Sequence, residues 1–326
     1  MRNFLGIKQT FLRIVLFNFF VFYSLEILRA QEVTTHADAQ LIKMHIENLA
    51  ADKMMGRGTG SHQIGRAATY IEKYFKKYKL APLGLKGYKQ PFIAKVTKIV
   101  VKDSIRKANN IIGFLDNGAP YTVIIGAHYD HLGLGRQGSS KDSLPEGKIH
   151  NGADDNASGV AGLLELARYF SQNNIKENLN ILFIAFSGEE LGLLGSKYYV
   201  NNPVIPLDKT SFMLNMDMIG RYNAERGVGI GGFGTSDKWS EIFDGVKADV
   251  KFFTDDAGSG GSDHGSFYAK NIPVLFFHTG GHPDYHKPSD TSEKIDSENE
   301  AKIIDLEIRL LLNGMKKNKV NFTKVN

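Results

Sequence analysis

Asp154 and Asp155 stand side by side in NGADDNASG, residues 151–159, a turn composition directly before an apolar helical pattern of Val160, Leu163, Leu164, Leu166, Ala167 and Phe170. A carboxylate held at such a turn reaches into a cleft. Its two oxygens can serve two cations at once, which is the chemistry of a bridging metal ligand. The plainer account is that Asp and Asn make a turn and cap the following helix. The chain contains no cysteine, so any metal must be held by His, Asp and Glu.

Other residues with the same chemical potential are spread along the chain. In AHYDH, residues 127–131, alternate side chains of an extended segment face the same way. Asp130 can then hydrogen-bond the ring of His128 and leave its other nitrogen free for a metal. Glu189 and Glu190 are adjacent in SGEELGLLGS and cannot easily share one face. One can ligate while its neighbour points toward a substrate as general base; a capped helix start behind Ser187 is the structural alternative. Asp217 interrupts the apolar run LNMDMIG, and a bare buried carboxylate needs either a cation or donors such as Arg221. His278, His282 and His286 are spaced four apart, but Gly280, Gly281 and Pro283 exclude a regular helix. One of the three suffices as a ligand, and the pattern does not choose it. Tyr285 can donate its hydroxyl to a developing oxyanion, or simply pack.

Positioning these groups requires strands that end where they occur. Residues 121–126, 178–186, 212–218 and 272–277 are short apolar runs of the kind buried on both faces of a sheet, and each is followed by acidic or histidine residues. Residues 90–101 and 110–114 are read as two further strands. Amphipathic helices are expected over residues 36–53, 67–78, the 160s and 292–313. Strands alternating with helices predict an α/β protein, a three-layer α/β/α arrangement with a mostly parallel mixed central sheet. Ligands of open α/β sheets bind at the carboxyl ends of the strands, so the candidate residues should converge there. Residues 133–150 are a long polar loop beside that region, and such loops are often functional.

Residues 1–30 read as a signal peptide. Arg2, Lys8 and Arg13 form a basic start, residues 14–28 an apolar run, and Ala30 precedes a plausible cleavage point. The apolar run is shorter than a spanning helix, so an exported protein without a stable membrane span after cleavage is expected, with an uncleaved anchor as the alternative. Residues 31–326 are expected to form a single domain. Of the formal net charge of +5, the leader holds +3, leaving +2 for the remainder. No arginine-rich stripe interleaved with aromatics is present, which argues against a nucleic-acid partner.

Taken in order, GAHYDH, NGADDNASG, SGEELGLLGS, NMDMIG and YHKPSDT resemble the co-catalytic, two-zinc aminopeptidases, a family that includes glutamate carboxypeptidase and glutaminyl cyclase. The resemblance spans roughly residues 36–313 and includes the GRGTGS segment. It implies the zinc-exopeptidase fold and two Zn²⁺ per chain. Asp155 would bridge the ions, with a cis bond to Asn156; His128 and Asp217 would complete one site, Glu190 and His286 the other. Glu189 would be general base to the metal-activated water, Asp130 would orient His128, and Tyr285 would stabilise the oxyanion. Residues 262–267, SDHGSF, resemble a loop lining the substrate pocket and take no fixed role. The expected activity is an exported aminopeptidase, periplasmic or extracellular, acting on peptides with a free N-terminus. A one-zinc glutaminyl cyclase-like acyltransferase and a catalytically silent peptide-binding module of the same fold are the alternatives.

Overall fold

Alternation within three apolar strands sets the layers of this protein. The structure, a computed structural model, describes residues 36–97 and 103–325; the leader and part of the strand expected over 90–101 lie outside the described residues. Val123 and Ile125 point into one core while Ile124 points into another, and Phe183 and Leu182 divide in the same way. A sheet with both faces apolar must be covered on both, and it is.

Among the described residues the nine strands are β1 Ala81–Pro82, β2 Lys89–Lys95, β3 Ile105–Leu115, β4 Thr122–His128, β5 Asn180–Phe186, β6 Thr210–Met216, β7 Val228–Gly231, β8 Phe252–Thr254 and β9 Val274–His278. They form one sheet in the order β1-β3-β5-β4-β6-β9-β7-β8, with β2 paired to β3. The central β5-β4-β6-β9 set is parallel, and β3 and β7 join its two sides antiparallel. Every residue of β4, β5 and β6 is buried, as expected where helices cover both faces.

The helices are α1 Ala39–Leu49, α2 His62–Lys77, α3 Gly159–Gln172, α4 Leu194–Asn201, α5 Trp239–Phe243, α6 His264–Tyr268 and α7 Ser297–Met315. α1, α2, α3, α5 and α7 supply the larger core on one face. α4 and α6 supply Tyr199, Val200 and Phe267 to the core on the other. α1 starts where Asp38 accepts the amides of Gln40 and Leu41, and α2 where Ser61 accepts that of Ile64. Each such cap satisfies a first-turn donor and contributes about 1 kcal/mol.

The expected α/β class and mostly parallel sheet are therefore present. The strand read over 110–114 is the end of a longer β3, because its polar first half pairs with β2 and the pattern of burial changes only at Ala108. β7 and β8 escaped the sequence reading; at four and three residues they are too short to show a period, and two of the four β7 residues are glycine. No helix among the described residues is long and apolar enough to cross a membrane.

Candidate active site at the carboxyl edge of the sheet

Parallel β4, β5, β6 and β9 all end on one edge, and the candidate residues gather there. His128 is the last residue of β4, and Asp217 follows the last residue of β6. Asp217 thus sits at the strand's end rather than within it. Glu189 and Glu190 lie in the turn after β5. α4 begins only at Leu194, so these acids do not form a capped helix start.

The NGADDNASG turn is tied to the end of β6 by its own side chains. Residues 153–158 make a wide helical turn with a cis peptide between Asp155 and Asn156. The Asn156 amide donates to the Met216 carbonyl at 2.9 Å, and its Oδ1 accepts the amides of Gly159 and Met218. Asn156 therefore caps α3 and also fixes where Asp217 begins. Asp154 turns away from the cluster: its carboxylate accepts the Gly220 amide at 2.8 Å and faces His282 Nε2 at 3.0 Å. Gly152 adopts φ +59, and a Cβ there would lie 2.3 Å from the Asp155 carbonyl and 2.5 Å from the His131 ring. Only glycine fits.

Asp155 divides its two oxygens. Oδ1 lies 3.4 Å from His128 Nε2, which is also 3.3 Å from Asp217 Oδ2. Oδ2 lies 3.1 Å from His286 Nε2, which is also 3.2 Å from Glu190 Oε2. The far nitrogens of both rings are committed to carbonyls. His286 Nδ1 donates to Ser139 at 2.9 Å, and His128 Nδ1 to Asp130 at 3.2 Å. Each Nε2 lone pair therefore faces two carboxylate oxygens, an arrangement that calls for a cation or an added proton.

His128 Nε2 and Asp217 Oδ1 are buried without a hydrogen-bond partner. A tetrahedral ion with bonds of about 2.0–2.1 Å holds its ligands roughly 3.3–3.4 Å apart. The observed separations of 3.1–3.4 Å are of that size. His128, Asp155 and Asp217 form one group able to hold a metal, and His131, Asp155 and Glu190 another.

His131 is a residue that sequence reasoning missed. Its Nδ1 donates to Glu190 Oε1 at 2.8 Å and lies 3.8 Å from Asp155 Oδ2, while its Nε2 is buried and unpartnered. The second histidine of HYDH was the available signal. Asp130 also differs from expectation in how it acts. Its backbone carbonyl, not its carboxylate, is nearest the His128 ring, the carboxylate oxygen being 3.9 Å away. The buried carboxylate is already occupied, accepting the Thr59 hydroxyl at 2.8 Å and the Glu189 amide at 3.1 Å. Of the three spaced histidines, His286 joins the cluster, His282 pairs with Asp154, and His278 lines the adjoining cavity.

That cavity, about 240 Å³, is lined by Asp155, Glu189, Asp217, Tyr285 and His286 together with Met218, Phe276 and His278. A larger depression of about 590 Å³ lies at the opposite, amino end of β5, but it contains no histidine and one acid, Glu177. The chemistry belongs to the smaller one. Burial raises the Glu189 pKa well above its usual value; His128 opposes this, while Glu190, Asp217 and Asp263 add to it. Burial disfavours ionisation of Glu190 as well, yet hydrogen bonds from His131 and His286 overcome it and hold Glu190 well below the ordinary range. Two adjacent glutamates thus have opposite proton affinities. Separated pKa values of this kind mark acid–base assignments. Tyr285 packs against His286 with its ring tilted by 31° and the centroids 3.9 Å apart.

A carboxylate–histidine cluster at the carboxyl edge of a mostly parallel sheet, with two groups of possible ligands sharing one acid, is a candidate metal centre. The chain belongs to Peptidase family M28, whose sequence model matches residues 110–311. Leupeptin-inactivating enzyme 1 of Streptomyces exfoliatus is 30% identical over 254 residues, covering 78% of this chain and 51% of that protein. The chain thus spans about half the length of that curated relative. Among solved structures, a Zn-dependent exopeptidase from Parabacteroides distasonis superposes with TM-score 0.67 at 20% identity, covering 86% of this chain and 98% of the other. Bacteroides thetaiotaomicron glutaminyl cyclase bound to N-acetylhistamine gives 0.68 at 19% identity, covering 85% and 98%. At these identities the two structures bear on the fold.

Proposed function

We propose that this chain is an exported, zinc-dependent aminopeptidase that removes N-terminal residues from peptides using two metal ions. The observation that carries the reading is the division of Asp155 between the His128–Asp217 and His286–Glu190 groups. His128 and Asp217 would hold one Zn²⁺, Glu190 and His286 the other, with Asp155 between them. Bound zinc would supply Lewis acidity toward the scissile carbonyl and acidify a water.

The rest of the reaction falls to side chains. Glu189, on the cavity wall with a raised pKa, takes the proton of the attacking water and delivers it to the leaving amine. Its backbone amide is held by the Asp130 carboxylate, so Asp130 fixes the base as well as the His128 ring. Tyr285 lines the same cavity and donates its hydroxyl to the developing oxyanion. Met218, Phe276 and His278 offer the substrate side chain an apolar and aromatic surface.

A glutaminyl cyclase-like reaction with one zinc would leave one of the two groups without a task, and a silent binding module would not need Glu189. Residues 1–30 act as the export signal of a single peptidase domain in this reading, and the product is released in the periplasm or outside the cell. Metal analysis together with hydrolysis of aminoacyl substrates, N-terminally free and blocked, tests it. Two zincs per chain and turnover of free substrates are expected. Turnover of blocked substrates alone excludes the aminopeptidase.

A further inference from the structure

Two conspicuous segments, GRGTG and PSDT, contain no residue of the metal groups, yet both reach the turn that carries Asp155. Arg57, from the first, is almost wholly buried at 1% exposure. All of its hydrogen bonds go to backbone carbonyls: Nε to Tyr129 at 2.9 Å, Nη1 to Leu49 and Asn151 at 2.7 Å each, and Nη2 to Gly152 at 2.8 Å. Asp290, from the second, is fully buried. Its carboxylate accepts the amides of Asp154 and Asp155 at 3.1 Å, and its own carbonyl accepts that of Ala153.

The turn is therefore gripped from both sides. A cation holds the carbonyls of residues 151 and 152, and an anion holds the amides of residues 154 and 155. A buried guanidinium is costly to desolvate unless its donors are used, and here its three nitrogens make four bonds, two of them to this turn. Burial pulls Arg57 down to about 10, while Asp155, Asp130, Asp290 and Glu190 oppose that fall. It stays charged at neutral pH and offsets part of the cluster's negative field. Asp290 lies four residues after His286, so the grip on Asp155 comes from the strand-end loop that also carries His286.

We infer that Arg57 and Asp290 form a two-sided backbone clamp that positions the Asp155 carboxylate between His128 and His286. They are positioning residues whose side chains bond backbone groups of the turn and not the carboxylate oxygens of Asp155. The clamp explains why both segments carry a charged residue where a loop would need none. The inference rests on the two-metal reading for its consequence, though not for its geometry.

The experiment uses the full chain, stripped of metal by chelator, with Asp290→Asn and Arg57→Lys beside the wild type. Asparagine keeps the shape of Asp290 but presents only one accepting oxygen; lysine keeps the charge of Arg57 but not its fork. Backbone hydrogen exchange is followed by mass spectrometry across residues 151–159, and zinc affinity by competition with a chelating dye. In the wild type the Asp154 and Asp155 amides should exchange slowly, and rapid exchange there overturns the clamp without any variant. In folded Asp290→Asn, exchange of this segment should rise at least tenfold with α1 and α7 unchanged. Zinc affinity should fall roughly 10- to 100-fold, the range for partners that orient ligands.

Unchanged exchange, or faster exchange with unchanged zinc affinity, would overturn the positioning role. Arg57→Lys answers the same question if Asp290→Asn does not fold. Failure of the wild type to bind zinc sinks the proposed function instead, and exchange alone then decides the clamp.

Discussion

His286 Nε2 lies 3.1 Å from Asp155 Oδ2, while His286 Nδ1 donates to the Ser139 carbonyl. One nitrogen is thereby fixed as a donor, and the other is offered to whatever sits between the carboxylates. Most testable consequences of this structure follow from that contact and from its counterpart at His128.

Zinc uptake should strengthen as pH rises. Burial lowers the affinity of His286 for a proton, but its hydrogen bonds to Asp155 and Glu190 outweigh this and raise it to about 11. His128 is raised too, its burial outweighed by Asp217, Glu189 and Asp155. At neutral pH His286 therefore holds its proton in the metal-free protein, and His128 is shifted in the same direction, so an entering cation must compete with protons. Each displaced proton adds about one decade of affinity per pH unit below the raised pKa. In the metal-free protein the sign reverses. Stability from the His286 ion pairs is fully present below pH about 6.5 and is lost as pH rises through about 11. Competition titrations from pH 6 to 8 check the first point; a flat or falling affinity contradicts it.

Replacing Glu189 by Ala should reduce kcat by roughly 10²–10⁴, the usual contribution of a general base, with two zincs still bound. Metal analysis of the purified variant is the check, and loss of one zinc would reassign Glu189 as a ligand.

Asp155→Ala should behave differently, losing metal and activity together, because its two oxygens serve both groups. His131→Ala should weaken zinc at the His286 side, since His131 holds Glu190 Oε1. A second-group affinity equal to wild type in His131→Ala would make that histidine a packing residue. Equilibrium dialysis at several free zinc concentrations separates these outcomes.

Gly152→Ala should destabilise the fold by about 1–3 kcal/mol, the range for a strained left-handed backbone position, with further cost from its contact with the Asp155 carbonyl. Denaturant unfolding with and without zinc measures it. An unchanged midpoint would show that the turn relaxes freely.

α7 carries Glu300 and Glu307, both fully buried with no hydrogen-bond partner for either oxygen. Burial raises both well above the usual carboxylate value, and for Glu300 Asp154, Glu307 and Asp296 add to it. The folded state therefore binds a proton that the unfolded chain releases near pH 4.5, so stability falls as pH rises above that value. Glu307→Gln should gain on the wild type as pH increases from 5 to 8. A difference in Tm that does not change with pH would refute this.

The linear chain alone determined a great deal here. The alternation of Val123, Ile124 and Ile125, with its equivalents in β5 and β6, dictates a sheet covered on both faces. The acids and histidines that follow each strand then have one edge at which to meet. That much is local: period, burial and strand ends are properties of short stretches. Tertiary structure decided the pairings. Whether His278, His282 or His286 meets Asp155 depends on the path of a glycine-rich loop with no periodicity, and the polar loop carrying Ser139 holds His286 in place. His131 gains its meaning only from Glu190, 59 residues away. Arg57 and Asp290 act through backbone groups of a distant turn, and backbone amides and carbonyls carry no residue identity by which such a contact could be read.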